Sequence, residues 1–118
     1  MSIAAKIQLG PRTKDLAKVL NAGEIAVIAH EDLDRVAAES LIQAKVAGVI
    51  NLKPSITLRY PNGGPSALCE SGIPLLDCLS LQFEDLKEFN SVEIDLKTQK
   101  VVFISEGKRQ DVDAKVWD

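Results

Sequence analysis

Two short apolar segments on either side of a helix-length segment constrain the fold of this 118-residue chain most strongly. The first covers residues 25–29, which is long enough for a buried strand, and the second covers 49–52. Between them, apolar residues recur with helical spacing from Leu33 to Ala47, and Gly48 ends the pattern. Two strands joined by such a helix run parallel with a right-handed crossover, so the sequence predicts a βαβ unit.

Weaker patterns before and after this unit predict the remaining elements. They are an edge strand at 4–9, a short helix at 14–20, a long loop at 53–64, a helix at 65–71, a strand at 73–76, one or two helical turns at 83–89, and a hairpin formed by 92–96 and 101–105. We therefore predict an α/β fold with a mostly parallel central sheet flanked by helices, Rossmann-like or of the swivelling three-layer type, and a C-terminal β-hairpin.

The domain prediction is one α/β domain over residues 1–106, followed by a charged tail over 107–118. This tail is charged apart from Val112, Val116 and Trp117, which is typical of a tail or of a linker to a downstream domain. Trp117 would then either contact another domain or chain or be disordered.

Composition narrows the class of protein. The net charge of -3 and the lack of a basic stripe argue against nucleic-acid partners. No apolar run reaches the roughly 18 residues that span a bilayer, and no signal peptide is visible, so we expect a cytoplasmic protein. Cys69 and Cys78 are expected to be reduced core residues, with a disulfide or metal pair as the alternative.

Polar residues stand at the end of each of the three predicted parallel strands. The three strands end, in order, at His30, Asn51 and Asp77, with Asn51 inside the last residues of the 49–52 segment, and Glu31 and Asp32 follow His30 directly. Because the carboxyl ends of parallel strands share one edge of a sheet, we expect these side chains to lie close together, beneath the 53–64 loop. The sequence thus predicts where a site lies, but not its chemistry.

Two interpretations of His30 stay open at this stage. His30 with Asp32 and Asp77 could ligate a cation, or His30 could exchange protons near neutral pH. Alternatively, Asp32 merely caps the following helix, and His30 hydrogen-bonds to a neighbouring loop.

A second candidate site lies in the loop. Asn62, Gly63 and Gly64 lead into a helix N-terminus, where free N–H groups favour phosphate or carboxylate, and Arg59 is near in sequence. The alternative is a tight turn whose glycines supply positive φ. Tyr60, in the same loop, would contact a substrate or partner, or pack as a lid on the core.

Several segments together resemble the N-terminal region of SteA-type cytokinetic ring proteins of Gram-positive bacteria. The matching segments are Arg12 to Leu16, Ile25 to Ile28, His30 to Asp34, Ala38 to Leu41, Arg59 to Asn62 with Gly64 and Pro65, and Gly72 to Asp77. The resemblance implies a link to cell division, a downstream domain like thiamin pyrophosphokinase, and a membrane-protein partner. It assigns no catalytic residue to this region.

A more distant similarity links Gly63 to Asp77 with the swivelling phosphohistidine domains. In those domains a reactive His lies in the loop before the corresponding helix. Here that loop contains no His, which argues against phosphotransfer through histidine.

The residues and the resemblance to SteA-type proteins together predict a non-catalytic regulatory or interaction domain that binds a small anionic ligand at the carboxyl edge of the sheet, or a protein partner. The alternatives are an accessory part of a thiamin pyrophosphokinase-like transferase and a structural dimerisation domain. A homodimer is compatible with each of these functions. No catalytic residue, metal or cofactor is specified. The candidate ligand-binding residues are His30, Asp32, Asp34, Asn51, Arg59, Tyr60, Asn62, Gly63, Gly64 and Asp77.

Overall fold

Eight strands and four helices make up the part of the chain that the computed structural model describes, residues 2–59 and 62–117. They are β1 (Ser2–Leu9), α1 (Thr13–Ala17), β2 (Ile25–Ile28), α2 (Arg35–Gln43), β3 (Gly48–Asn51), α3 (Gly64–Glu70), β4 (Leu75–Asp77), α4 (Phe83–Leu86), β5 (Ser91–Asp95), β6 (Lys100–Ser105), β7 (Lys108–Asp113) and β8 (Lys115–Trp117). Within those residues, no helix is long and apolar enough to cross a membrane.

All eight strands belong to one mixed sheet, in the order β7-β6-β5-β1-β2-β3-β4-β8. The pairs β1–β2, β2–β3 and β3–β4 are parallel, which confirms the predicted parallel core and the βαβ unit. The C-terminal hairpin of β5 and β6 is also confirmed. The sheet is less parallel than predicted, because its four other pairings are antiparallel.

The first strand lies inside the sheet and not at its edge. β1 pairs in parallel with β2 on one side and antiparallel with β5 on the other. The weak alternation in its sequence suggested an edge strand, but Ile7 is buried and both its neighbours are supplied by distant segments. This position brings the end of β1 to the same edge of the sheet as the ends of β2, β3 and β4.

Residues 108–117, predicted as part of a charged tail, form β7 and β8 instead. In β7 exposed charged residues alternate with the half-buried Gln110 and Val112, so the segment pairs with β6 through its backbone while its charges face water. Trp117, expected to contact another domain, pairs with Leu75 of β4 in this sheet. Whether a further domain belongs to the protein stays a prediction.

The sheet curls so that its two edge strands, β7 and β8, approach each other where the chain connects them. Only Ala114 separates β7 from β8, yet these strands stand at opposite ends of the strand order. Gln99, in the turn between β5 and β6, binds the segment that joins β7 to β8. Its carbonyl accepts from the Ala114 N–H at 3.0 Å, and its Oε1 accepts from the Val116 N–H at 3.1 Å. The sheet is therefore a curled half-barrel.

The two faces of this curled sheet pack against different elements. Ile25, Val27 and Ile50 face the inside of the curl, where they pack with residues of β5 and β6 such as Phe103. Ala26 and Val49 face outward, against a layer of helices whose buried residues are Leu16, Leu33, Ala37, Ala38, Leu41, Ala67 and Leu68. Helices α1, α2 and α3 therefore cover one face only, and the antiparallel strands complete the other core.

The two cysteines differ in their environments. Cys78, after β4, is completely buried in the inner core, and this burial raises the pKa of its thiol to about 12. Cys69 lies exposed on α3, so its prediction as a core residue is wrong. Neither cysteine forms a disulfide.

Candidate functional site

The polar residues at the ends of β2 and β3 are joined directly. The Asn51 Oδ1 accepts a hydrogen bond from the His30 N–H at 3.0 Å, and the Asn51 Nδ2 donates to the His30 carbonyl at 2.9 Å. The buried Asn51 side chain thus takes the place of a further ladder residue. Both hydrogen-bonding groups of the His30 backbone are satisfied, so the position of His30 is fixed.

A second set of hydrogen bonds joins Asn51 to Asp77 through Ser55. The Asn51 Nδ2 also donates to the Ser55 Oγ at 2.9 Å, and the Ser55 Oγ donates to the Asp77 Oδ1 at 2.6 Å. The Ser55 N–H donates to the other oxygen of Asp77 at 3.0 Å. All three side chains are buried and are hydrogen-bonded to one another, so they anchor the start of the 53–64 loop.

Asp32 anchors the other end of this loop. Its carboxylate accepts from the Thr57 N–H at 2.7 Å and from the Thr57 Oγ at 2.7 Å, and the Asn62 Nδ2 reaches it at 3.4 Å. These bonds, that from the Thr57 hydroxyl most, lower the pKa of Asp32 below its ordinary value, with a smaller effect from the Arg59 charge. The prediction that Asp32 caps α2 is wrong, because Asp34 accepts from the Ala37 N–H at 2.7 Å.

The glycines of the loop serve close packing. The Gly64 N–H donates to the Leu33 carbonyl at 3.0 Å, and a Cβ at Gly64 would lie 2.3 Å from that oxygen. Gly63 has a φ of -121°, so the alternative turn with positive φ does not describe this segment, and anion binding at the start of α3 stays a prediction. Arg59 is exposed, and Tyr60 lies outside the described residues.

The metal interpretation of His30, Asp32 and Asp77 does not match their placement. Asp77 is bonded to Ser55, and Asp32 to Thr57. In residues 2–59 and 62–117, no group of three or more His, Cys, Asp or Glu side chains is arranged to hold a metal ion. Of the residues predicted to meet at the edge, Asn51 and Asp77 have structural roles there, and His30 is left facing a different space.

That space is an open cleft of about 530 Å³ between the start of α1, the turn after β2 and the first turns of α2. The His30 Nδ1 lies 3.1 Å from the Thr13 Oγ, and its Nε2 lies 3.9 Å from the Asp34 Oδ2. The other lining residues are Pro11, Arg12, Lys14, Ala29, Glu31, Val36, Ala37 and Ser40. His30 and Asp34 are thus the two predicted site residues that line the cleft.

Sequence reasoning missed the contribution of α1 to this cleft. Arg12 and Lys14 are exposed at its rim, and neither forms an ion pair within the described part of the chain. The prediction of an edge strand at 4–9 did not bring α1 beside His30. The signal that could have found these residues is the Gly10-Pro11 break, which marks the end of a fourth strand at the same edge of the sheet.

Comparison with known proteins gives a structural match only. No protein-family model matches the chain, and no curated protein sequence matches it. Its structure is similar to that of 3-isopropylmalate dehydratase (LeuD) from Methanocaldococcus jannaschii, with a TM-score of 0.64 and 13% sequence identity over 98% of this chain and 83% of that chain. At this identity the match shows the fold alone, a swivelling β/β/α domain, which was one of the two predicted architectures.

These findings contradict the resemblance to SteA-type proteins. No family model matches the sequence, and the fold is similar to that of the LeuD structure. The predicted function, a regulatory or interaction domain linked to cell division, is therefore wrong. Its two alternatives, the transferase part and the dimerisation domain, are wrong as well. The predicted partners were a downstream domain, a second copy and a membrane protein, and they stay predictions.

Proposed function

We propose that this chain is the substrate-binding domain of a dehydratase-type enzyme, and that it holds a short hydroxycarboxylic acid in the cleft beside His30. The observation that supports the proposal most is the composition of the cleft, at the carboxyl edge of the parallel strands. The similar fold of 3-isopropylmalate dehydratase supports the class of reaction. The carboxyl edge is also where open α/β sheets bind ligands.

The cleft offers one kind of group for each part of such a molecule. Arg12 and Lys14, which form no ion pair among residues 2–59 and 62–117, supply two cations for carboxylates. Asp34 and Glu31 can accept a hydrogen bond from a hydroxyl, and they disfavour a ligand that carries only negative charge near them. The apolar wall, made by Pro11, Ala29, Val36 and Ala37, suits an alkyl branch. A volume of about 530 Å³ is within the range of small-molecule sites.

The proposal assigns binding, and not the whole reaction, to this chain. Removal of water from a hydroxy acid needs a base that takes a proton from carbon and an acid that protonates the leaving hydroxide. The cleft is open to solvent, and its cations are exposed. We therefore expect a second protein or domain to close over the cleft and to supply the remaining groups.

A titration calorimetry experiment with 3-isopropylmalate and malate tests this function. Since charge-assisted hydrogen bonds contribute about 1.5–3 kcal/mol, Arg12→Ala and Lys14→Ala should each weaken binding by roughly ten- to a hundredfold. Lys18→Ala is the matched control, because Lys18 is an exposed lysine that immediately follows α1 but does not line the cleft. Succinate, which is malate without its hydroxyl, should bind more weakly than malate. Equal binding of all variants, or no binding at millimolar concentrations, would contradict the proposal.

A further inference from the structure

We infer that Thr13 holds His30 in the tautomer whose proton is on Nε2, so that the imidazole donates a hydrogen bond to an oxygen atom of the ligand. In this inference Thr13 is a positioning residue, and its effect on the ring does not depend on what the cleft binds. The role of the Nε2 proton in recognising a hydroxycarboxylate rests on the proposed function.

The hydrogen bonding of Thr13 determines the tautomer. Its side chain is buried, and within the described residues its hydroxyl has one partner, the His30 Nδ1 at 3.1 Å. If Nδ1 carried the proton, it would donate to the hydroxyl oxygen, and the buried hydroxyl proton would have no acceptor. A buried donor without a partner costs about 1–3 kcal/mol. The arrangement in which Thr13 donates and Nδ1 accepts avoids this cost, and it leaves the proton of the neutral ring on Nε2.

The backbone of His30 cannot move away from this contact. Both its N–H and its carbonyl are bonded to the side chain of the buried Asn51. Thr13 thus holds the ring at its Nδ1, and Asn51 holds the main chain of His30. Its orientation is therefore set before any ligand arrives, which reduces the entropy lost on binding.

The other ring nitrogen is left without a direct partner. Nε2 lies 3.9 Å from the Asp34 Oδ2, which is too long for a hydrogen bond, and no other protein group in residues 2–59 and 62–117 accepts from it. Asp34 Oδ1 is already engaged by the Ala37 N–H. An oxygen atom of a ligand in the cleft can accept from Nε2. If that oxygen belongs to a hydroxyl, it can donate to Asp34 at the same time. A hydroxycarboxylate has both kinds of oxygen.

The ring can be observed directly, because His30 is the only histidine in the chain. We propose long-range proton–nitrogen correlation spectra of the full ¹⁵N-labelled chain, recorded at a pH above which the ring signals no longer change. The wild-type ring should show a protonated Nε2 and an unprotonated Nδ1. Thr13→Ser, which keeps the hydroxyl, should give the same pattern. Thr13→Val, which keeps the shape but removes the hydroxyl, should move the ring towards a mixture of tautomers, while backbone amide spectra confirm that it is folded.

The outcomes separate this inference from the proposed function. A wild-type ring protonated at Nδ1, or a Thr13→Val ring identical to wild type, would overturn the positioning role of Thr13. Addition of malate or 3-isopropylmalate should shift the Nε2 resonance, and this shift should be smaller in Thr13→Val than in Thr13→Ser. The predicted tautomer together with no response to either acid would support the role of Thr13 and count against the proposed function.

Discussion

At the scale of single residues, Asn51 connects the site to the fold. Its amide uses both its donor and its acceptor on the backbone of His30, and it also bonds to Ser55 and to the Lys53 N–H. The sequence placed Asn51 at the right edge because it follows an apolar run directly. It could not show that the side chain is buried and satisfied within the protein, since the partners come from 21 residues earlier and from the following loop.

Asn51→Ala tests this role in the fold. The substitution leaves buried partners unpaired at the His30 N–H and carbonyl and at Ser55, so we expect a loss of about 2–4 kcal/mol in the free energy of unfolding. Asn90→Ala, at an exposed asparagine, should change it by less than about 0.5 kcal/mol. Urea denaturation measures both. An Asn51→Ala protein as stable as wild type would show that these hydrogen bonds contribute nothing to the fold.

At the scale of elements, the 53–64 loop owes its path to two anchors and one close contact. Ser55 fastens its start to Asp77, Asp32 fastens Thr57, and Gly64 lies against the Leu33 carbonyl. The length of the loop and its Gly-Gly pair were visible in the sequence. Their role was not, because a glycine required for close approach and a glycine required for positive φ are identical in a sequence.

The two neighbouring glycines make a matched pair for testing that contact. Gly64→Ala would place a Cβ 2.3 Å from the Leu33 carbonyl oxygen, whereas Gly63→Ala would meet only the flexible Arg35 side chain at 3.4 Å. We expect Gly64→Ala to lower the free energy of unfolding by at least about 2 kcal/mol, and Gly63→Ala to change it by less than about 1 kcal/mol. Chemical denaturation of both variants is the measurement. Equal stabilities would contradict the packing role of Gly64.

The Asp32 anchor should make the loop sensitive to acid. The pKa of Asp32 is lowered in the folded protein from its ordinary value of 3.8, so its contribution to stability is present above that value and is lost as the pH falls through the lower, folded pKa. Asn is tolerated at the positive φ of Asp32; it removes the charge and replaces one acceptor oxygen by an amide NH2 group. The stability difference between wild type and Asp32→Asn should therefore be largest at neutral pH and shrink below about pH 4. A difference that does not change between pH 7 and pH 3 would contradict the pKa shift.

At the scale of the whole molecule, the sequence predicted strand pairings between neighbouring segments but not those between distant ones. The β2-α2-β3 unit follows from patterns within some 30 residues, and the structure confirms it. The curl of the sheet depends on β7 pairing with β6 and on β8 pairing with β4, about 40 residues away in sequence. Those strands are short and charged, and their place in the sheet is decided by backbone pairing at open edges. A pattern of apolar residues carries no record of that pairing.

The position of β1 explains why the sequence did not predict the cleft. With β1 inside the sheet, the ends of β1 and β2 are neighbours, and Arg12 and Thr13 come beside His30. With β1 at an edge, as the sequence suggested, α1 has no fixed relation to His30. The position of this one strand therefore brings Arg12 and Thr13 to the cleft beside His30, whereas the sequence favoured a site beneath the Arg59 to Gly64 loop.

The most direct test of the central claim, that the cleft beside His30 binds a hydroxycarboxylic acid, is a titration of the ¹⁵N-labelled chain with 3-isopropylmalate, followed by backbone amide spectra. We predict that the amides that shift will be those of residues 12–14, 29–31 and 34–40 around the cleft, that the shifts will saturate, and that at equal acid concentration they will be smaller in Arg12→Ala. No shifts at millimolar acid would contradict it. So would shifts centred on Arg59 and Gly63 to Ser66, which would return the site to the loop.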